Sequence, residues 1–95
     1  MTATATGPVA TRMRRLLETA LHPTALSLVD ESDHHRGHAG HDARGESHFA
    51  LTIESAAFTG QSRVARQRLV YSALGALMTD RVHALTIKAT APGEP

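Results

Sequence analysis

The chain contains no cysteine and no tryptophan, and only two phenylalanines and one tyrosine among its 95 residues. Without cysteine no disulfide can staple the fold, and any thiolate ligand or nucleophile has to come from another molecule. Phe49, Phe58 and Tyr71 are too few rings for a surface that binds nucleic acid by stacking bases. An excess of one charge is missing as well: ten Lys and Arg against nine Asp and Glu leave a formal +1. Bulk electrostatics therefore argue for neither a committed nucleic-acid binder nor a carrier of acidic ligands, and only local clusters can carry such an argument. No apolar run approaches the roughly 20 residues that span a bilayer, and no hydrophobic N-terminal segment has the form of a secretory signal. The expectation is a soluble cytoplasmic protein with no membrane partner.

A chain of this length has material for one small domain and one core. Residues 1–8 are small and aperiodic and read as a flexible tail, although Pro8 suits a first helical position. Val9, Met13, Leu16, Leu17, Ala20 and Leu21 then recur as one helical stripe, and the helix stops at His22-Pro23-Thr24 because the residue before proline is pushed out of the α region. Ala25 to Val29 alternate as a short strand. Residues 32–47 have no periodic apolar positions and form an unusually long connection for so small a domain, a length that tends to be functional or disordered. From His48 the chain alternates again, with Phe49, Leu51 and Ile53 on one face and His48, Ala50, Thr52 and Glu54 on the other, so the two strands are expected to pair as an antiparallel hairpin. Ser62 is a plausible N-cap for a second helix from about Arg63 to Met78, whose stripe is Val70, Ala73, Leu74, Leu77 and Met78. A third strand follows in VHALTIKAT, and residues 91–95 read as a polar tail. The order is helix, strand, strand, helix, strand, within a domain of residues 9–90. Three strands cannot bury one apolar face alone, so both helices should cover it.

Three features could carry chemistry. The stretch DHHRGHAGH, Asp33 to His41, places His34, His35, His38 and His41 in the long loop. His-rich tracts often bind metal, but spacings of three do not fix a tetrahedron without a helix beneath them, and no HExxH or CxxC pattern is present. His83 opens the third strand with the parity of Leu85 and Ile87; it is either an ordinary strand-end residue or a ligand held on rigid scaffold. Arg63, Arg66 and Arg68 sit in the first turns of the second helix, where the macrodipole disfavours cations. They are either a solvated face or, with Lys88, a surface for an anionic partner or nucleic-acid phosphate. No catalytic constellation appears: Ser47 and His48 are adjacent in extended chain and point to opposite faces. The expected class is a binding or adaptor module, not an enzyme.

The motifs GESHF, FTGQSRVARQRLVYSAL and VHALTIKATAPGE, preceded by DES and HAGH, follow one another in the order and spacing of the BolA family, which this chain resembles from about Val9 onward. The resemblance implies an α+β, KH-like fold of the second type, αββαβ, with a three-stranded sheet covered by helices on one face. It also implies a function: pairing as a heterodimer with a monothiol glutaredoxin to hold a bridging [2Fe–2S] cluster in iron–sulfur trafficking or iron regulation. In that family the BolA side supplies the histidine of the HAL strand, here His83, and a His or Cys of the loop. Counting from Ser32 points to His35 and matching HAGH points to His38, the preferred of the two. Glutaredoxin and glutathione supply the thiolates, so the isolated protein is expected to be a monomer that carries no cluster. Some BolA-like proteins are described as transcription factors, and DNA binding through Arg63, Arg66, Arg68 and Lys88 is the alternative. The family's Arg-His-Arg is here Arg66-Gln67-Arg68, so no role can be given to a histidine at its centre.

Overall fold

The computed structural model describes residues 5–31, 48–82 and 84–94. His35 and His38, with the rest of segment 32–47, and His83 lie outside the described residues.

The described chain runs α1 (Pro8–Leu21), β1 (Ala25–Asp30), β2 (His48–Glu54), a 3₁₀ turn (Ala56–Phe58), α2 (Arg63–Leu74), α3 (Leu77–Asp80) and β3 (Ala84–Thr90). The sheet order is β1-β2-β3, with β1 antiparallel and β3 parallel to β2. This is the small α+β domain expected. Register stacks the alternating apolar residues into rows across the sheet: Leu26, Ile53 and Ala89 in one, Leu28, Leu51 and Ile87 in the next. A one-residue slip of any strand would turn its apolar set to the opposite face, so the rows and the register enforce one another.

Helix α1 buries Val9, Met13, Leu17 and Leu21 of the stripe read from the sequence, together with Ala10, while Leu16 is only partly buried and Ala20 is exposed. Its last turn closes as His22 enters the left-handed region at φ 46° and donates its N–H to Glu18 O at 3.1 Å, ahead of Pro23. Helix α2 starts at Ser62, whose side chain accepts from Ala65 N–H at 3.1 Å, and contributes Val70 and Leu74 to the same core. Each fully buried side chain of this size contributes roughly 1.5–3 kcal/mol. Phe49, Phe58, Met13, Leu17, Leu28, Leu51 and Ile53 are the largest of them.

Two expectations are corrected here. The single helix from about Arg63 to Met78 is two helices, because Gly75 takes φ 56° and ψ −128°, a conformation open in practice only to glycine, and the chain restarts as α3. Ala5, Ala91 and Glu94, expected to lie in flexible tails, are held by the domain. Ala5 is buried and its N–H donates to Leu28 O at 2.7 Å along the free edge of β1, where the Arg14 guanidinium donates to Ala5 O. At the other end Ala91 is buried and Glu94 is hydrogen-bonded. Neither contact leaves a hydrophobic period to be read.

Ser55 joins three elements at the far end of β2. It is fully buried; its hydroxyl donates to Leu21 O at 2.5 Å and accepts from Ala57 N–H at 3.1 Å, while its own N–H donates to Thr90 O at 3.0 Å. A helix C-terminus leaves carbonyls without partners inside the helix, and here one is satisfied by a side chain in the core. Ser55→Ala is expected to lower unfolding free energy by about 1–3 kcal/mol, the cost of stranding buried polar groups, with an unchanged denaturant slope; urea titration followed by circular dichroism measures both.

Candidate functional site

Two separate regions take up the residues picked out by chemistry. The first is the end of the sheet that carries the start of β2. Glu31 is the last described residue before segment 32–47 and His48 the first after it, and Glu31 N–H donates to His48 O at 2.7 Å. Across the parallel ladder His48 pairs with Ala84, the residue that follows His83. The chain positions flanking the histidine-rich segment and the position beside His83 are therefore brought to one end of the sheet. Helix α3 and Val82, buried at 2%, lead the chain into that end of β3.

His48 itself was placed on the polar face by its parity, yet it is only 9% exposed. Its type made it conspicuous, but alternation cannot tell a covered position on the outer face from an open one. Among the described residues no group of three His, Cys, Asp or Glu side chains stands close enough to hold a metal ion. The donor chemistry available from the whole chain is imidazole and carboxylate, since cysteine is absent. Such a set suits a partial share in an iron–sulfur cluster whose thiolates come from elsewhere, because histidine can replace cysteine on one iron.

The second region is a groove of about 530 Å³ between the start of α2 and the second half of β3, lined by Gln61, Arg63, Arg66, Gln67, Ile87, Lys88 and Ala89. Three of the four basic residues singled out by sequence meet here; Arg68, exposed on α2, does not line it. Arg66 is not free to reach outward. Its Nε donates to Gln61 O at 3.0 Å, its Nη1 to Ala89 O at 3.1 Å, and its fork grips Glu94 through Nη1–Oε1 at 2.7 Å and Nη2–Oε2 at 2.8 Å. Glu94 Oε1 also accepts from Ala91 N–H at 2.8 Å. Bonds from the Arg66 guanidinium and then from Ala91 N–H hold the Glu94 carboxyl down at about 2, and the same pair pushes Arg66 up. Sequence reasoning missed Glu94, since the pair spans 28 positions with no local pattern linking them.

Comparison with known proteins adds a family to this geometry. The family described as "BolA-like protein" matches residues 17–94. "BolA-like protein 1" of Mus musculus is 41% identical over 90 residues, covering 95% of this chain; the chain spans only 63% of that protein's length. "DNA-binding transcriptional regulator BolA" of Escherichia coli is 38% identical over 76 residues, 80% of this chain and 69% of the relative. Among solved structures, the "BolA domain of SufE1 from Arabidopsis thaliana" superposes with a TM-score of 0.84 at 44% identity, covering 96% of this chain and all of that one. Among the described residues no helix is long and apolar enough to cross a membrane.

The Arg66–Glu94 pair makes a pH prediction. A carboxyl lowered from 4.5 to about 2 in the folded state adds stability that is present above 4.5 and is lost as pH falls through about 2. The difference in unfolding midpoint between the parent and Glu94→Gln should be constant above 4.5, shrink steadily below it and vanish near 2. A midpoint difference independent of pH over that window contradicts the pairing.

Proposed function

This chain belongs to the BolA-like family, and on that premise we propose that it is an adaptor that binds a monothiol glutaredoxin and shares a bridging [2Fe–2S] cluster with it. The observation that carries this reading is the meeting of Glu31, His48 and Ala84 at one end of the sheet. In the family it is the HAL histidine and a loop residue that serve the cluster, and Ala84, which follows His83, meets there one of the two residues that flank the loop segment. His83 is the ligand proposed from the strand, and His38, with His35 next, the ligand proposed from the loop.

The division of labour follows from composition. A chain with seven histidines and no cysteine can offer neutral imidazoles but not the thiolates that an ordinary cluster site needs. The remaining ligands then belong to glutaredoxin and its bound glutathione, and the cluster is cargo held between two proteins. Each imidazole must be deprotonated to bind, so holding the cluster becomes harder as the solution falls below the ordinary histidine value of about 6.5. Imidazole in place of thiolate also raises the potential of the iron it binds.

A second reading is DNA binding, favoured by the printed name of the E. coli relative. Its carriers here are Arg63, Arg68 and Lys88, all exposed, with Arg66 as a fourth only when Glu94 lets go. Because phosphate contacts dominate such binding, it must weaken steeply with salt.

Mixing the protein with a monothiol glutaredoxin, glutathione, iron and sulfide should give a coloured one-to-one complex, while the protein alone stays colourless. His83→Ala should keep its far-ultraviolet dichroism yet change the visible spectrum and hasten cluster loss; His38→Ala should do the same to a smaller degree, because His35 can take its place. An unaltered spectrum and lifetime in His83→Ala rejects that ligand. For the second reading, each of Arg63→Ala, Arg68→Ala and Lys88→Ala should lower the slope of log affinity against log salt by about one; affinity for a DNA duplex that ignores both salt and these changes rejects it.

A further inference from the structure

We propose that the groove between α2 and β3 is a binding site for a phosphate monoester, and that Glu94 is its built-in competitor. The site is independent of the cluster and lies at the opposite end of β3 from His83.

Charge and geometry both lead there. Arg63, Arg66 and Lys88 come from two different elements and line one concavity, and among the described residues the carboxylate bound to them is that of Glu94, on Arg66. Once Glu94 leaves, Arg63, Arg66 and Lys88 offer three positive charges to a phosphate monoester, which carries close to two negative ones above its second ionisation near 6. Recognition rests on side chains, because the first-turn donor of α2 at Ala65 is already taken by Ser62.

Arg66 is prepared for an oxyanion. Two backbone carbonyls, of Gln61 and Ala89, hold its guanidinium in place, so the ordering that a long side chain normally loses on binding is already complete. Its fork donates to two coplanar oxygens, as it now does to those of Glu94 at 2.7 and 2.8 Å. Phosphate presents the same pair of oxygens to the same fork.

The groove is also larger than an inorganic ion needs. Its volume of about 530 Å³ falls within the roughly 300–1,000 Å³ of small-molecule sites. Ile87 and Ala89 give it an apolar side, and Gln61 and Gln67 supply uncharged donors and acceptors. An organic body attached to the phosphate has somewhere to lie.

Glu94 is exposed in a turn closed by Glu94 N–H to Ala91 O at 3.1 Å, next to Gly93 at φ 89°, and to leave it must give up its bidentate pair with Arg66 and its bond from Ala91 N–H. While it is bound, only the fraction of molecules with Arg66 open is competent, and apparent affinity falls by that fraction.

The test uses the full chain, titrated with inorganic phosphate, AMP and adenosine at ionic strength held constant with chloride, and followed by amide shifts in NMR. AMP should bind saturably, with shifts centred on Gln61, Gln67 and Lys88, and adenosine should not. Tighter binding of AMP than of inorganic phosphate supports a monoester as the occupant. Equal affinity overturns that assignment in favour of free phosphate. Arg63→Gln and Lys88→Gln should each weaken AMP about two- to fivefold, the range of a single exposed ion pair. Glu94→Gln should strengthen it by a similar factor, which a merely structural role for Glu94 does not predict. Shifts reproduced by chloride alone, an unchanged or weaker affinity in Glu94→Gln, or binding of a DNA duplex without AMP overturns the proposal.

Discussion

Much of the domain depends on one buried serine, through its hydroxyl and its backbone N–H. Ser55 closes the C-terminal carbonyl of α1 at Leu21, caps the 3₁₀ turn at Ala57 and ties the end of β2 to the end of β3 at Thr90. Those three bonds fix where the first helix meets the sheet and in what register the parallel pair lies. Register then propagates without further instruction: once Ser55 bonds Thr90 O, the alternation of the ladder pairs His48 with Ala84 at the opposite end. The region proposed for the cluster is positioned by a contact at the other end of the same two strands.

A three-stranded sheet has two free edges, each a template for unwanted pairing. An arginine and a terminal segment attend to both. At β1, Ala5 bonds Leu28 O and Arg14 holds Ala5 from the helix. At β3, Arg66 bonds Ala89 O and holds Glu94 beyond the strand. The same arginine thus protects an edge and frames the groove, which is why its positive charge is internally committed while Arg63, Arg68 and Lys88 face solvent.

Most of this architecture was legible as periodicity. Val9, Met13, Leu17 and Leu21 of the first helical stripe, the parity of Phe49, Leu51 and Ile53, and the cap at Ser62 are local signals, and each appears where its pattern put it, whereas Ala20 of that stripe is exposed. The break at Gly75 was less legible, because a lone glycine within a helical stripe is compatible with a continuous helix as well as a left-handed stop. Ala5 and Glu94 looked like tail because their partners, Leu28 and Arg66, are remote in sequence. The burial of His48 was equally hidden, since a period of two names a face and not what covers it.

What the sequence determined by itself was therefore the class of chemistry and the elements that could carry it: imidazole without thiolate, one α+β domain, and motifs that resemble the BolA family. Those follow from composition and short-range order, which a linear string records in full. Tertiary structure alone decided which residues meet: Glu31, His48 and Ala84 at one end of the sheet, and Arg63, Arg66 and Lys88 around one groove, with Arg66 paired to Glu94. These contacts arise from closing the chain over one core, and no spacing along the string encodes that closure.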